Sequence, residues 1–583
     1  MSTSDYLWEL PAMAIVIVLA FIAPRTILNV AGASAVVFRW LSRRPAAAMF
    51  AIASTNLLLT FSLAMSAGLP KPYIHDEFAY ALEGDTFAHG RLTNPTHPMW
   101  QHFESYHIFH QPSYQAKYPP AQGMVLAAGQ VVSGEQIAGV WISLAIACCS
   151  VYWMLLGWTR PRWALLGGLL AAIHPSFAVQ WGESYWGGAV AMLGGALVYG
   201  ALPRLKSKAR LRDAFILAIG LAVLANSRPY EGLVVSFPVI PILAVWFLKD
   251  RARWPLSQVT RVAVPVILVL STTAAAMGYY NFRVTGSPWR LPYQHWMKLY
   301  ATGLGMSEML WRVDDGRQGE APTFELGSLP QGATTRDLVH VHTTSFVSKL
   351  VRHHLFFFRI PLTLTLLAAP VMLFRRHVRL AAAVYFLVWL AVMANHCSGH
   401  GHYYAPATAL LLLIVVECLR SLRCWRIGRL QCGRVLALAI PLIVFGSSLR
   451  QFAVANPHFI PTGAEWVNAR EQIEQELAER GGRHLVLVSY EPGHNSNIEW
   501  VYNGADLDDA PVLWARPISS TASQELADWY KDRTVWRLNA DANPPQLVPH
   551  AVGNDSQPDE VLTPVTNTTV TEVTSFLKTG ETP

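Results

Sequence analysis

The sequence predicts a mainly α-helical fold: a polytopic membrane bundle of about twelve transmembrane helices, with a small extracytoplasmic α/β domain at the C-terminal end. Three observations lead there. Of the 583 residues 52% are hydrophobic and only 14% are Asp, Glu, Lys or Arg, against roughly 25% charged in an ordinary soluble domain. The apolar residues come in blocks near the ~20 residues that cross a hydrocarbon core as helix. The basic residues fall in short loops between those blocks and form no continuous face, so the net charge of +7 reads as topology and not as a nucleic-acid footprint.

Taken in order, the apolar blocks lie at 7–24, 45–69, 135–158, 162–178, 185–203, 213–226, 231–248, 259–280, 353–374, 378–396, 403–420 and 434–453. The first belongs to a segment 1–44, read as an extra transmembrane helix with an interfacial stretch. It has neither a basic n-region nor a small-residue cleavage site, so it reads as a retained helix and not a signal peptide. Residues 45–454 form the main membrane region. If successive loops alternate sides, one side collects Arg43 and Arg44, Arg160 and Arg162, Arg204 to Arg212, Lys249 to Arg261, Arg375 to Arg379, and Arg420 to Arg434. By the positive-inside rule that side is cytoplasmic. The outer side then holds loops 70–134 and 281–352, with short turns near 179–184, 226–231 and 395–402. The six cysteines include no C-x-x-C pair, so neither a disulfide framework nor a zinc ribbon is implied.

Residues 455–583 read as a soluble α/β unit with a frayed end. A helical stretch near 464–480 stops at Gly481-Gly482, and His484 to Tyr490 is an apolar run of strand length. Strands are expected at 512–516 and 534–538, with a helix at 523–532 between them. Gly187-Gly188 and Gly194-Gly195, seven residues apart, mark a helix face where a neighbour can approach closely.

The unusual chemistry sits in the outer loops. Loop 70–134 opens with Tyr73-Ile74-His75-Asp76-Glu77-Phe78 and ends with Lys117-Tyr118-Pro119-Pro120. Two adjacent carboxylates at a membrane edge cost solvation unless a cation, a metal or a substrate hydroxyl compensates them, although an acidic first turn of a solvated helix gives the same pattern. Lysine is a point charge suited to phosphate, and equally an interfacial anchor. Three outer turns add Glu183, Arg228, and the run Asn395 to Pro406 with His396, Cys397, His400, His402, Tyr403 and Tyr404. Those histidines and the cysteine are donors that a divalent metal accepts, while neutral imidazoles serve equally to hydrogen-bond a phosphosugar; both readings stay open.

An acidic pair in the first outer loop, a Lys-x-Pro-Pro-like segment at its end, a second acidic residue at the next outer turn and a Tyr-rich turn ending in Pro resemble the C-type (GT-C) membrane glycosyltransferases, in the family 39-like group of aminoarabinose transferases and protein O-mannosyltransferases. The resemblance covers roughly 45–453 and rests on the order and sidedness of short motifs. It implies an inverting transfer of a hexosyl or pentosyl group from a polyprenyl-phosphate sugar donor to an extracytoplasmic lipid, glycan or protein, in a bacterial inner membrane with the site on the periplasmic side. It implies that Asp76 is the catalytic carboxylate with Glu77 beside it, and that Lys117 and Tyr403 or Tyr404 hold the donor phosphate, as the chemistry of Arg228 also suits. His75, Tyr118, Glu183, His400 and His402 are counted as substrate-binding. No cofactor is assigned, and a divalent metal remains an option. Departures from the pattern are the span before residue 45, the spacing around Lys117-Tyr118, and histidines in the late turn where the family often has Lys or Arg.

Two other classes are weighed against this. A transporter or flippase of a lipid-linked or anionic substrate would carry internal repeats and mid-membrane ionisable groups, whereas the blocks here are nearly charge-free and the polar groups gather at one face. A non-catalytic assembly or sensor protein requires the Asp76-Glu77 pair to point away from any cavity. Membrane lipid is an expected partner, nucleic acid is not, and the sequence is silent on oligomeric state.

Overall fold

The computed structural model describes residues 8–22, 32–249, 254–300, 335–394, 400–426, 428, 431–454, 465–491, 494–495 and 498–550. The chain divides into two compact units, one comprising residues 1–100, 104–464 and 504–506, the other Gln101–Phe103, Glu465–Asn503 and the chain from Leu507.

In the first unit each of the twelve apolar blocks contains a helix. Among the described residues eight helices are long and apolar enough to cross a membrane: Pro45–Ala67, Gln136–Trp158, Gly188–Ser207, Pro229–Lys249, Leu256–Thr285, Arg376–Ala394, Gly401–Leu422 and Cys432–Arg450. The block at 353–374 is bent: Phe346–Phe357 and Arg359–Met372 meet at 95° and make a ninth span if counted as one. Glu9–Ile22 and Pro161–Ile173 are shorter apolar helices, and Leu211–Ser227 has 17 residues with Asp213 in its first turn. Proline at the first helical position starts Pro45–Ala67, Pro161–Ile173 and Pro229–Ser236, where its missing N–H costs nothing.

Helix faces follow the solvent they meet. On Pro45–Ala67, Ile52, Leu59 and Leu63 are buried while Phe50, Leu58 and Phe61 are exposed, and on Leu256–Thr285 Val264, Ile267 and Leu268 are exposed. Large apolar side chains on an outer helix face are what hydrocarbon accepts and water does not. Inside the bundle small residues bring backbones together: a Cβ at Gly195 would overlap the Pro406 carbonyl, so only glycine lets Gly188–Ser207 lie against the turn Gly401–Ala407. At the bent pair, where the chain breaks at Phe358 and Arg359 takes φ 47°, the Glu9 carboxylate accepts from Arg359 Nε at 2.6 Å, Ile360 N at 3.1 Å and Ser447 Oγ at 2.7 Å. The break frees donors inside the bundle, and this carboxylate takes them up.

In the second unit four strands form one sheet, β3 (Arg483–Ser489), β4 (Val512–Ala515), β5 (Arg533–Asn539) and β6 (Gln546–Pro549), ordered β4-β3-β5-β6. β3 pairs parallel with β4 and β5, and β6 runs antiparallel to β5. The helix Glu465–Arg480 matches the expected one, and Ser520–Trp529 starts earlier than expected because Ser519 caps it, accepting from Ala522 N at 3.1 Å. β6 has no counterpart in the sequence reading: Pro544-Pro545 before it and Pro549 at its end spoil a strand pattern, and only an edge position tolerates Pro549. A shallow hollow of about 240 Å3 on this sheet is lined by Ser489, Glu491, Arg537, Asn539 and Gln546 and contains none of the expected site residues.

Candidate active site

The helix His75–Ala88 begins just after the Pro45–Ala67 span, with Asp76 and Glu77 in its first turn. Neighbours on a helix point about 100° apart, so the two carboxylates have different surroundings. The Asp76 side chain is 42% exposed although groups from several elements close around it. Its Oδ1 accepts the Tyr118 hydroxyl, and Tyr118 in turn stacks on Tyr80, one helical turn after Asp76, with ring centroids 4.2 Å apart. Glu77 is fully buried, and its two oxygens accept from Tyr73 N and Tyr185 N, both at 3.1 Å. It ties the start of the loop to the turn that carries Glu183, and so positions the site from behind.

A two-stranded hairpin, β1 (Ile108–Phe109) and β2 (Gln115–Ala116), sets the other wall. At its open end Lys117 N donates to His107 O at 3.0 Å, which places the two side chains together. His107 has φ 66°, an uncommon conformation for a non-glycine residue. Lys117 Nζ donates to His107 Nδ1 at 2.7 Å and lies 4.0 Å from the centre of the Trp296 ring, with Tyr118 and Tyr293 near 5 Å. Lys117 is thus 6% exposed, seated in aromatic side chains. His107 Nε2 stands 3.7 Å from Asp76 Oδ1, and His75 stacks on Tyr106 at 4.3 Å beside it.

Three turns close the far side. A π-helical turn, Ser176–Trp181, leads into Glu183, whose Oε1 is buried with no hydrogen-bond partner among the described residues. Trp186 meets His402 and His400 edge-on at 4.4 and 5.3 Å, and His402 packs on Tyr403 at 4.4 Å. The Arg228 guanidinium lies 5.0 Å over the Tyr403 ring, and its Nε has no partner among the described residues. Tyr404, adjacent in sequence, instead turns into the core against His353 and Met393 and is fully buried. The pair splits because a 3-10 turn rotates successive side chains by about 120°.

Electrostatics separates the carboxyls. Burial would raise the Asp76 carboxyl, but His107, Lys117 and the Tyr118 hydrogen bond outweigh it and hold Asp76 below the ordinary carboxylate value. Burial and Lys117 push His107 well below the ordinary imidazole value against the pull of Asp76, which favours the neutral ring. Glu77 is pushed up to about 8 by burial, with the Tyr73 and Tyr185 amides resisting and Asp76 adding to the rise. Glu183 rises to about 8 by burial alone. At neutral pH Asp76 is ionised, whereas burial favours the protonated form of Glu77 and Glu183. His400 is lowered by burial and by Arg352 and Arg228 and pulled upward by Asp76, which puts the acid and the Arg228 cation within one field.

Of the residues expected from sequence, Asp76, Tyr118, His75 and Lys117 thus gather around His107, and Arg228, Tyr403, His402 and His400 form a chain of contacts with Trp186, with the Asp76 and Arg228 charges both acting on His400; Glu183 lies in the turn just before Trp186. Glu77 and Tyr404 support these groups from the packed side. His396 and Cys397 lie outside the described residues. Among the described residues no group of three or more His, Cys, Asp or Glu side chains is placed to hold a metal ion. Sequence reading missed His107, Tyr80 and Trp296. Ile108 and Phe109 followed by Gln-Pro and a polar return give a short hairpin signal that would have paired His107 with Lys117.

No family model and no curated protein matches the sequence. Solved structures do. ArnT from Cupriavidus metallidurans, crystallised bound to undecaprenyl phosphate, matches at TM-score 0.50 and 12% identity over 84% of this chain and 92% of that one. The Archaeoglobus fulgidus oligosaccharyltransferase, tethered to an acceptor peptide, matches at TM-score 0.46 and 13% identity over 84% of this chain and 69% of that one. The chain has the GT-C fold of membrane glycosyltransferases.

Proposed function

We propose that the protein is an inverting glycosyltransferase that moves a sugar from a polyprenyl-phosphate donor to an acceptor at the outer membrane face. The carrying observation is an accessible Asp76, held below the ordinary carboxylate value, whose charge and that of the Arg228 guanidinium both act on His400. The fold and the bound lipid phosphate of ArnT support the donor class, and the clustering of basic loops on the opposite side supports an extracytoplasmic site.

In this reading Asp76 accepts the proton of an acceptor O–H as its oxygen attacks the anomeric carbon. The bond from that carbon to the phosphate oxygen breaks on the far side, inverting configuration, and the electron pair leaves on the polyprenyl phosphate. Arg228, held over Tyr403, meets the charge that grows there, with His400 and His402 as neutral donors. Protonated Glu183 offers a hydrogen bond to a sugar hydroxyl. Lys117, already engaged by His107 and Trp296, acts on the site by its field and reaches a phosphate only by leaving that seat.

The test places purified protein in lipid with radiolabelled polyprenyl-phosphate sugars and a crude envelope acceptor fraction, comparing wild type with Asp76→Asn. Transfer by wild type that collapses in the variant, with donor binding kept, is the expected result. Equal transfer by both removes Asp76 from the chemistry, and no donor binding by either overturns the transferase reading.

A further inference from the structure

The Lys117–His107–Asp76 line carries a role that the transferase reading leaves unassigned. Lysine ammonium has donors only, so the 2.7 Å contact makes His107 Nδ1 the acceptor. A neutral imidazole has one N–H, and with Nδ1 accepting it must be on Nε2, the atom facing Asp76 at 3.7 Å. That separation is longer than a hydrogen bond, so the N–H faces Asp76 without engaging it, and the Tyr118 hydroxyl is what holds the carboxylate in place. A φ of 66° is uncommon for a non-glycine residue and persists only where the surroundings over-determine it. Here they do, through the backbone bond to Lys117 and the His75, Tyr118 and Trp296 rings, centred 5.8, 6.1 and 5.2 Å from the imidazole.

We propose that His107 is a positioning residue, an imidazole spacer that stops the Lys117 ammonium from closing a direct salt bridge onto Asp76 while presenting a single N–H toward it. The inference rests on Asp76 being the base. A direct ammonium contact would occupy a carboxylate oxygen and weaken the base, since a nearby opposite charge favours the ionised form. The interposed ring keeps the charge at one remove, so Asp76 is ionised at rest and still has an oxygen for the acceptor proton. The ionisable groups facing His107 are Asp76, His75, Lys117 and Tyr118.

His107→Gly removes the ring while allowing the positive φ at no steric cost, so the hairpin keeps its shape. The expected result is a fall in kcat of about tenfold to a hundredfold, the scale of a misplaced reacting group, with donor KM unchanged. Free imidazole restores the rate, and 1-methylimidazole, which keeps an acceptor but has no N–H, does not. Full activity in His107→Gly, or equal rescue by both additives, overturns the proposal. Asp76→Asn in the same assay separates the two readings: if Asp76→Asn is inactive and His107→Gly is fully active, the spacer fails and the base stands. If Asp76→Asn retains full transfer, both fall. Nitrogen-15 NMR of histidine-labelled full-length protein in nanodiscs reads the tautomer without turnover, the His107 signals being those lost in His107→Gly. A neutral ring protonated on Nε2 is expected at pH 7, and a ring protonated on Nδ1 or on both nitrogens overturns the assignment.

Discussion

Asp76 and Glu417 are both carboxylates set among cationic and histidine side chains in the first unit, and they meet opposite fates. Glu417 is fully buried, and each oxygen is taken: Thr159 Oγ1 at 2.5 Å and Arg420 Nη1 at 3.2 Å on one, Arg375 Nη1 at 2.5 Å and Arg420 Nη1 at 3.3 Å on the other. Asp76 takes one tyrosine hydroxyl, keeps its nearest imidazole at 3.7 Å, and stays 42% exposed. A carboxylate whose lone pairs are all spent stabilises; one that is ionised, oriented and under-coordinated is equipped to take a proton. The difference lies in what reaches the oxygens: two arginines and a threonine close directly on Glu417, whereas Asp76 has a tyrosine hydroxyl on one oxygen and its cationic and histidine neighbours stand off.

The largest effect that would sharpen this contrast is Asp76→Asn, expected to lower transfer by about 10²–10⁴-fold, the usual contribution of a positioned base, with thermal stability near wild type. A loss of folding with no specific loss of turnover would make Asp76 another Glu417. Next, Arg228→Ala is expected to weaken donor phosphate binding by about tenfold or more, read as donor Kd with labelled lipid phosphate. Arg228→Lys should recover only part of it, because the planar fork over Tyr403 is lost. An unchanged Kd in both would move phosphate recognition to other groups.

Glu77 supplies a pH test. Its folded value of about 8 lies above the ordinary 4.5, so between those values the folded state holds a proton that the unfolded chain has released. Its contribution to stability is therefore full below about pH 4.5 and is lost as pH rises through about 8. Glu77→Gln, which stays neutral, should flatten the fall in unfolding free energy between pH 5 and 8 by a few kcal/mol, about 1.4 per pKa unit. A slope unchanged from wild type would mean that Glu77 is ionised in the fold. The smallest expected effect is Glu417→Gln: a stability loss of about 1–3 kcal/mol, discounted because Arg375 is 37% exposed, with turnover per folded molecule unchanged.

The membrane blocks were legible because an apolar run of span length has one stable outcome in lipid: each of the twelve contains a helix, and eight helices among the described residues, or nine with the bent pair, are long and apolar enough to cross. Asp76, Glu183 and Arg228 were legible because charge beside an apolar block is costly enough to demand a reason. What sequence left open was direction. Asp76 and Glu77 differ only by one helical step, and Tyr403 and Tyr404 by one step of a tighter turn, so residue type alone could not assign one of each pair to the site. His107 was hidden for another reason: its partners Asp76 and Trp296 come from distant parts of the chain, and only the hairpin that returns Lys117 to its side brings it into use.

The meeting of Gly195 with the Pro406 carbonyl bears on how this chain tolerates change. Behind the site one position admits a hydrogen atom and nothing larger, while Val264, Ile267 and Leu268 on the outer face can exchange freely among apolar side chains at little cost. A saturation library would therefore read as two populations, a broad permissive surface and a few intolerant contact points. Drift confined to the first can erase overall sequence likeness while leaving the helix-to-turn spacing that aims Tyr403 at Arg228 intact.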